Sequence, residues 1–401
     1  MVESFHGYRR ARGRAGIRNK VLLLPIDRYS NQLAWNIDQT VAGLTRFTCP
    51  GDMGRHASDR ERLFHVMRGL AQNPNVAAVL LIGVREDFNY PETRAQRMLD
   101  ALDDCGKPVE TLFISHAGGM GLAGIQGERI ARRLLRHVGR QQRQEVPVGD
   151  LCIGIKCGIS DGTSGISGNP ALGSAMDLLV SRQGTVMFSE TTEIIGAEQL
   201  LAERARDAST RDRLLEMVAR TERQACAVGE DIRSINPIPS NIKAGITTLE
   251  EKSLGAIAKG GTTALCGALE HAHAPEEPGL YFMDGWMAGN SLPLGLAAAG
   301  AQITILQSGG GDMPDDPPLS VVNPGLVSPN FFMSGNPNLA AKLEVGLDFD
   351  SSGVLLGTHT LAEIGEAILA ELAAVASGQP TWGETQKFME TQEVWFDGPF
   401  F

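Results

Sequence analysis

The sequence predicts an α/β protein in which mostly parallel sheets are flanked by helices. Short apolar runs recur along the 401 residues, and continuous rather than alternating apolarity is typical of strands covered on both faces. Stretches with helical periodicity and capping signals fall between these runs. Because strands that alternate with helices usually form parallel sheets, the order of these segments predicts the fold class.

The predicted strands are apolar runs that start at residues 21, 76, 109, 151, 184, 279, 303 and 353. Two helices are indicated by capping-box patterns, Ser58 with Glu61 and Thr360 with Glu363. The periodic stretch 197–227 predicts one long helix or two joined helices.

The length exceeds what one hydrophobic core usually organises, so the chain is expected to form two α/β domains. The polar, linker-like stretch 140–150 places the boundary between residues 1–145 and residues 146–401, the second being the catalytic domain. A Pro- and charge-rich interruption near 271–279 offers a sub-boundary, which would give three domains instead of two.

The composition excludes several classes of partner. A net charge of -11 argues against nucleic acid or an anionic membrane, since both require clustered Lys and Arg. The N-terminus lacks the apolar core of a signal peptide, and the longest apolar stretch is too short to cross a bilayer, so a cytoplasmic protein is expected. The six cysteines show no CxxC spacing, which indicates neither a disulfide framework nor a zinc knuckle.

Polar residues follow most of the predicted strands, at the edge where open parallel sheets bind their ligands. Arg85 follows the second run, Lys156 and Cys157 the fourth, Glu190 the fifth and Gln307 the seventh. Polar residues begin loops in general, so each position alone is more often structural than functional. The combination is what predicts a site at this edge.

The loop after the fourth run, "KCGISDGTSGISGNP", concentrates reactive and flexible residues. Its glycines, Gly158, Gly162, Gly165 and Gly168, are expected to adopt positive φ angles and to expose backbone N–H groups that can bind an anion. Asn169 and the proline after it are predicted to begin a helix, with Asn169 as the cap. A carboxylate or phosphate ligand would fit such a loop.

Two further groups could carry chemistry. Cys157 is interpreted as a metal-ligating thiolate or a nucleophile, and a packed small thiol is an equal alternative. The segment "SETTEIIGAE", 189–198, places three carboxylates around one turn, where they could bind a metal, move protons or favour a helix N-terminus. Lys243, Lys252 and Lys259 could neutralise a substrate carboxylate, although solvent exposure is the default expectation for each.

Several of these motifs occur together, in order, in one known family. "GYRRARGRAGIRN", "NPNVAAVLLIG", "KCGISDGTSGISGNPALG", "SETTEIIGAE", "TTLEEKSLGAIAKGG", "GLYFMD" and "LDFDSSGVLLG" resemble the large domain of the altronate/galactarate dehydratase family, which includes the beta subunit of sulfolactate sulfo-lyase. The resemblance extends over residues 5–395. It implies a metal-dependent lyase that eliminates water from a hydroxy or sugar acid to give a 2-keto-3-deoxy acid.

The resemblance also implies a site and its cofactor. The cofactor would be a divalent metal, Fe(II) first, with Mn(II) or Mg(II) as alternatives. The residues carried over are the following: catalytic Lys156, Asp161, Glu190 and Glu193; substrate-binding Ser160, Ser164, Asn169, Lys243 and Arg85; metal-binding Cys157 and Cys49.

The resemblance suggests partners as well. The substrate would be a small carboxylate, and a separate small subunit of the β-clip kind and a homo-oligomer are expected. Departures from the sugar-acid pattern include Cys49 followed by Pro50 and a second strand that ends in "GVRED" without cysteine. These departures and Arg85 are similar to the sulfo-lyase side, which keeps release of sulfite as one alternative and a non-catalytic sugar-acid-binding subunit as another.

Overall fold

The computed structural model describes residues 2–286, 290–311, 326–343, 345–386 and 392–398. Its strands are β1 (Ser4–Gly7), β2 (Lys20–Pro25), β3 (Leu44–Arg46), β4 (Val76–Gly83), β5 (Val109–Phe113), β6 (Gln144–Pro147), β7 (Cys152–Cys157), β8 (Thr185–Phe188), β9 (Leu265–Leu269), β10 (Gly279–Met283), β11 (Ile303–Gln307), β12 (Asn330–Ser334) and β13 (Phe349–Asp350).

The helices are α1 (Asn31–Thr40), α2 (Ala57–Gln72), α3 (Ala95–Leu102), α4 (Met120–Val138), α5 (Asn169–Ser181), α6 (Glu198–Ala202), α7 (Ala208–Ala227), α8 (Ile232–Ile235), α9 (Pro239–Lys243), α10 (Leu249–Ile257), α11 (Ser291–Ala298), α12 (Pro337–Lys342), α13 (Leu361–Ala376) and α14 (Trp382–Thr385). A single π-helical turn, Ser164–Gly168, precedes α5.

Two parallel sheets organise these elements, which confirms the predicted fold class. The N-terminal sheet has the strand order β3-β2-β4-β5, with α1 and α4 on one face and α2 and α3 on the other. The C-terminal sheet has the order β13-β12-β11-β7-β8-β10-β9, and every pairing in it is parallel. In this larger sheet, α5 and α13 cover one face and α11 covers the other.

The expected domain boundary holds regular structure. Residues 144–147 of the polar stretch form β6, which pairs antiparallel with β1 near the N-terminus. The stretch 271–279 joins β9 to β10, two neighbouring strands of the C-terminal sheet. The division of the chain at residue 145 stays a prediction.

Helix α11 lies between the two sheets. All of its residues are buried, because Leu296 packs on Gly154 of β7 while the backbone at Ala298 packs on Gly69 of α2. Among the described helices, none is long and apolar enough to cross a membrane.

Two local predictions were wrong and two were confirmed. The run "GVLLG" at 353 is not a strand, because it forms turns in which Leu355 and Leu356 are exposed. Helix α2 begins at Ala57 with His56 as its cap, so Ser58 lies inside the helix and caps nothing. The stretch 197–227 forms two helices, α6 and α7, in line with the second alternative; the Thr360 and Glu363 capping box is confirmed.

Candidate functional site

The candidate site lies at β7, the strand of the larger sheet from which the chain connects to strands on both sides. From β7 the chain continues to β8 on one side and returns later to β11 on the other side. Ligands of open parallel sheets bind at such a switch point, outside the carboxyl ends of the strands. Cys157 ends β7, Glu190 follows β8 and Gln307 ends β11, so the three residues meet at this edge.

The loop between β7 and α5 folds as one helical turn followed by the π-turn. None of its four glycines has a positive φ angle, so the predicted anion-binding nest was wrong. A side chain at Gly158 would overlap Ser308, and one at Gly168 would overlap the Gln307 amide. Gly158 and Gly168 are therefore required for close packing. Asn169 is not a cap, because the chain enters α5 directly from the helical residue Gly168.

Two carboxylates and three lysines form a buried charge cluster beside Cys157. Lys259 Nζ lies 2.5 Å from Glu190 Oε2 and 3.6 Å from Glu193 Oε2. Lys156 Nζ lies 3.6 Å from Glu190 Oε1, and Lys252 Nζ lies 3.5 Å from Glu193 Oε1. All five side chains are buried, Lys259 completely. Among the described residues of the cluster, the ammonium groups outnumber the carboxylates.

Glu190 is fixed by an unusual backbone and by several contacts. Its φ angle of 85° is in the left-handed region, which non-glycine residues rarely adopt and which often marks a functional position. Its Oε2 accepts a hydrogen bond from the Cys157 backbone N–H at 2.7 Å, in addition to the contact with Lys259. The side chain therefore links the ends of β7 and β8.

The surroundings shift the pKa values of the two glutamates in opposite directions. Burial raises the pKa of Glu190, and the neighbouring Glu193 carboxylate adds to that rise. Burial would raise the pKa of Glu193 too, but Lys252 and Lys259 outweigh it, so the net pKa is lowered. Lys259 behaves likewise: burial opposes its charge, yet Glu190 and Cys157 raise its pKa. Glu193 is thus ionised, and its Oε2 has no hydrogen-bond partner among the described residues.

Cys157 completes a set of donors suitable for a metal ion. Its thiol, one carboxylate oxygen of Glu190 and one of Glu193 lie within 4.8 Å of one another. A sulfur ligand beside carboxylates suits Fe(II) or zinc-like ions better than Mg(II), which prefers oxygen ligands. Burial raises the pKa of the thiol to about 12, so its proton must leave when a metal binds. The donor set and the unpartnered oxygen of Glu193 fit a divalent ion.

Four other predicted residues lie in the adjacent loop. Ser160 Oγ is 3.4 Å from the Cys157 sulfur. Asp161 Oδ1 accepts from the backbone of Thr163 and Ser164, so it caps the helical turn before the π-turn. Together with Asn169 and Lys252, the residues Ser160, Asp161 and Ser164 line a cavity of about 300 Å³.

Three predicted residues lie outside this cluster. Cys49 is buried in the core of the N-terminal sheet, where burial raises its pKa to about 12. Arg85 is exposed and pairs with Asp87. Lys243 is exposed at the end of α9. Their assigned roles stay predictions.

Two lysines of the cluster were left out of the predicted site residues. Lys252 and Lys259 were named as possible partners of a substrate carboxylate, with solvent exposure as the default expectation, but the helix α10 and the turn after it carry them into the core. The sequence does carry a signal for their burial, because "KSLGAIAKGG" surrounds both lysines with apolar and small residues. The stem of a lysine side chain packs along apolar neighbours, so a lysine surrounded by them is buried with them.

A parallel sheet with a buried cluster of thiol, carboxylates and lysines at its switch point defines an α/β protein with a site for a small charged molecule. Residues 148–397 match the C-terminal domain of D-galactarate/altronate dehydratase, and residues 7–139 match the second domain of D-galactarate dehydratase/altronate hydrolase. The chain belongs to the D-galactarate/altronate dehydratase family, which confirms the resemblance seen in the sequence.

Individual relatives are similar over most of the chain. The (2R)-sulfolactate sulfo-lyase subunit beta of Chromohalobacter salexigens is 33% identical over 386 residues, 95% of this chain and 94% of that protein. Altronate dehydratase of Escherichia coli is 28% identical over 393 residues, 96% of this chain and 76% of that protein. Galactarate dehydratase (L-threo-forming) of Escherichia coli is 31% identical over 320 residues, 78% of this chain and 58% of that protein. All three are lyases by name, which supports a lyase here.

Proposed function

We propose that the chain is a metal-dependent lyase that eliminates water from a hydroxy or sugar acid and forms a 2-keto-3-deoxy acid. The observation that carries the proposal is the excess of buried positive charge at the switch point. Lys156, Lys252 and Lys259 face only Glu190 and Glu193 within the described cluster, so the bound carboxylate of a substrate would balance it. Buried charges are stable only when they are paired.

The reaction begins with removal of the proton α to a carboxylate. Glu193 is the base in this proposal, because it is ionised and its Oε2, 3.6 Å from Lys259 Nζ, accepts no hydrogen bond from the described residues. The same lysines that bind the carboxylate stabilise the negative charge that develops on it. Lys156 is the least buried of the three and supplies the proton to the departing hydroxyl oxygen. The carbon–oxygen bond breaks, and the resulting enol becomes the keto acid.

Cys157 and Glu190 would hold the divalent ion, with Fe(II) preferred and Mn(II) or Mg(II) as alternatives. When bound, the ion polarises the substrate carboxylate and lowers the barrier to enolisation. Asp161 supports the loop through its capping bonds, while Ser160, Ser164 and Asn169 offer hydroxyl and amide groups to the substrate.

The test is a 2-keto-acid assay on anaerobically purified, iron-loaded protein with hexarates, aldonates and sulfolactate, with sulfite measured in parallel. We expect keto acid without sulfite. Glu193→Gln should lower kcat by about 10²-fold or more, because it removes the base. Glu250→Gln, an exposed carboxylate on α10, is the matched control and should leave kcat unchanged. A metal-loaded protein that forms no keto acid from any of these acids would refute the proposal.

The second candidate is a sulfo-lyase that releases sulfite from sulfolactate. The identity to the subunit beta of the Chromohalobacter protein, over nearly the full length of both chains, favours it. Sulfite is a good leaving group and needs less help from an acid than hydroxide does. In that case Lys156→Met would reduce kcat only modestly, and sulfite would appear in step with the keto acid.

The same relative is named as a subunit beta, and this name supports a partner subunit for the chain as well. We propose a small β-clip-type subunit and a homo-oligomer of this chain. Light scattering of the protein, alone and with a co-expressed small subunit, measures both. A third candidate, a non-catalytic sugar-acid-binding subunit, would show thermal stabilisation by an acid without turnover.

A further inference from the structure

Gln307 lies opposite Glu190 across the switch point. It is the last residue of β11 and pairs in register with Cys157 of β7, so the two Cα atoms are about 5 Å apart. Its backbone carbonyl accepts a hydrogen bond from Gly158 N–H at 2.6 Å, which fixes the start of the site loop. Gln307 thus lies at the same edge of the sheet as Glu190, on the opposite side of β7.

The side chain of Gln307 is buried and unsatisfied at both ends. Its exposed fraction is 0%, and neither Oε1 nor Nε2 has a hydrogen-bond partner in the described part of the chain. Buried polar groups are nearly always paired, because an unpaired group loses its hydration without compensation. An amide with both a donor and an acceptor unused therefore indicates a missing partner.

The residues around this amide leave room for it. Gly168 of the π-turn has no side chain, and any Cβ there would overlap the Gln307 amide. Asn169, the next residue, is 1% exposed and has an Oδ1 that is also unpartnered, while its Nδ2 donates to Gly255 O at 2.8 Å. π-turns are frequent at functional sites, and this one precedes an asparagine whose amide oxygen is free and lies beside the glutamine whose amide is free at both ends, among the described residues.

The same strand offers a comparison. Gln302, one residue before β11, is just as buried as Gln307, but its Nε2 donates to Ala15 O at 2.6 Å and its Oε1 accepts from Cys152 N–H. A structural glutamine in this fold is therefore paired at both ends. Gln307 is as buried but has no such partners among the described residues.

We propose that Gln307 is a substrate-binding residue that recognises the 2-hydroxy-carboxylate unit. Its Oε1 accepts a hydrogen bond from the substrate hydroxyl group, and its Nε2 donates a hydrogen bond to a carboxylate or hydroxyl oxygen. One amide thereby selects acids that carry a hydroxyl group beside the carboxylate. The inference rests on the proposed function, since it assigns a ligand group within that site.

The experiment compares Gln307→Met with Gln302→Met in iron-loaded protein, supplied with any small partner. Gln307→Met should raise KM for the acid that the wild type turns over by about 10-fold or more, because the paired contacts are lost. Its Tm without substrate should stay equal or rise, since an unsatisfied amide is replaced by an apolar side chain of similar length. Gln302→Met should lower Tm and leave KM unchanged. Gln307→Asn should recover part of the lost affinity.

The outcomes separate the two proposals. A Gln307→Met protein with lowered Tm and unchanged KM would mean that Gln307 binds a structural water, and the inference would be overturned. If the wild type neither turns over nor is thermally stabilised by galactarate, altronate or sulfolactate, the proposed function fails and the inference fails with it. Stabilisation of the wild type that is lost in Gln307→Met supports the binding role even without turnover.

Discussion

Glu190 combines a strained backbone with a buried charge. Its left-handed conformation is one that a side chain with a Cβ rarely adopts, and the contacts with Lys259 and the Cys157 N–H hold it there. Strain of this kind persists where the surrounding structure fixes the residue, and it is common at active sites. The carboxylate is therefore placed by both the backbone and its partners.

This strain predicts a difference between two variants. Glu190→Gly and Glu190→Ala both remove the carboxylate and both should lose activity. Only the glycine relieves the backbone, so Glu190→Gly should be more stable than Glu190→Ala by about 1 kcal/mol. Urea unfolding of the two proteins measures the difference. Equal stability would show that the left-handed conformation carries no cost.

Gly168 predicts a second difference at the residue scale. Gly168→Ala would push a methyl group into the buried Gln307 amide and should destabilise the protein by about 1–3 kcal/mol. Gly162→Ala is the matched control, because the same loop leaves open space around a Cβ there. Thermal unfolding should change in the first variant and not in the second. A tolerated Gly168→Ala would contradict the close packing described above.

At this scale the sequence could predict Cys157 and Glu190, because each directly follows an apolar run. It named Lys252 and Lys259 as possible partners of a carboxylate but could not predict their burial or the strain at Glu190, since these depend on how distant segments pack. The explanation of the loop glycines by positive φ angles was wrong: at Gly158 and Gly168 it is the neighbouring side chains that leave no room for a Cβ.

The elements show where local signals decide structure and where they do not. Seven of the apolar runs became strands because both faces of the sheets are covered, whereas the run at 353 is bounded by glycines and lies in exposed turns. The strand β12, "NFFMS", contains fewer apolar residues than most runs but lies between β11 and β13. Pairing with neighbouring strands, rather than apolarity alone, determined the outcome.

The two capping patterns predict opposite mutational results at the element scale. Thr360 Oγ1 accepts from Glu363 N–H at 3.2 Å, and Glu363 Oε2 accepts from Thr360 N–H at 2.8 Å. Thr360→Ala should therefore lower the free energy of unfolding by about 1 kcal/mol. Ser58 makes no such bond, so Ser58→Ala should change stability by less than about 0.5 kcal/mol. Chemical denaturation of both variants checks this, and an equal loss would restore the sequence-based cap.

The whole molecule depends on contacts between the two sheets that no local pattern reveals. Asn73 Nδ2 donates to Ala297 O at 2.7 Å, and Asn75 Nδ2 donates to Gln302 O at 2.8 Å. Near the C-terminus, the Trp395 ring lies against Arg62 of α2 and against His271 of the connection between β9 and β10. The order of elements could be predicted from the sequence, but these contacts join residues more than 100 positions apart.

Histidines at this junction predict how stability depends on pH. His65 of α2 stacks on His273, with 4.3 Å between ring centroids, and burial followed by repulsion from His273 lowers the pKa of His65 to about 4. Burial, with Arg62 adding to it, lowers the pKa of His271 to about 3. In the unfolded chain both histidines have a pKa of about 6.5. Below that pH the unfolded chain binds more protons at these histidines than the folded chain does, so they lower the free energy of unfolding.

The two histidines should therefore remove stability as the pH decreases from about 6.5 towards 4, whereas the buried Asp348, whose pKa burial raises to about 6, adds stability over part of the same range. The contribution of His65 is read from the difference between the wild type and His65→Gln: between pH 7 and pH 4 the Tm of the wild type should fall further than that of the variant. His137→Gln, at the exposed end of α4, is the control for a histidine replaced away from the junction. Equal changes of Tm in the wild type and in His65→Gln would show that His65 is protonated at the junction without cost. The two sheets would then be held together by contacts that do not depend on neutral imidazoles.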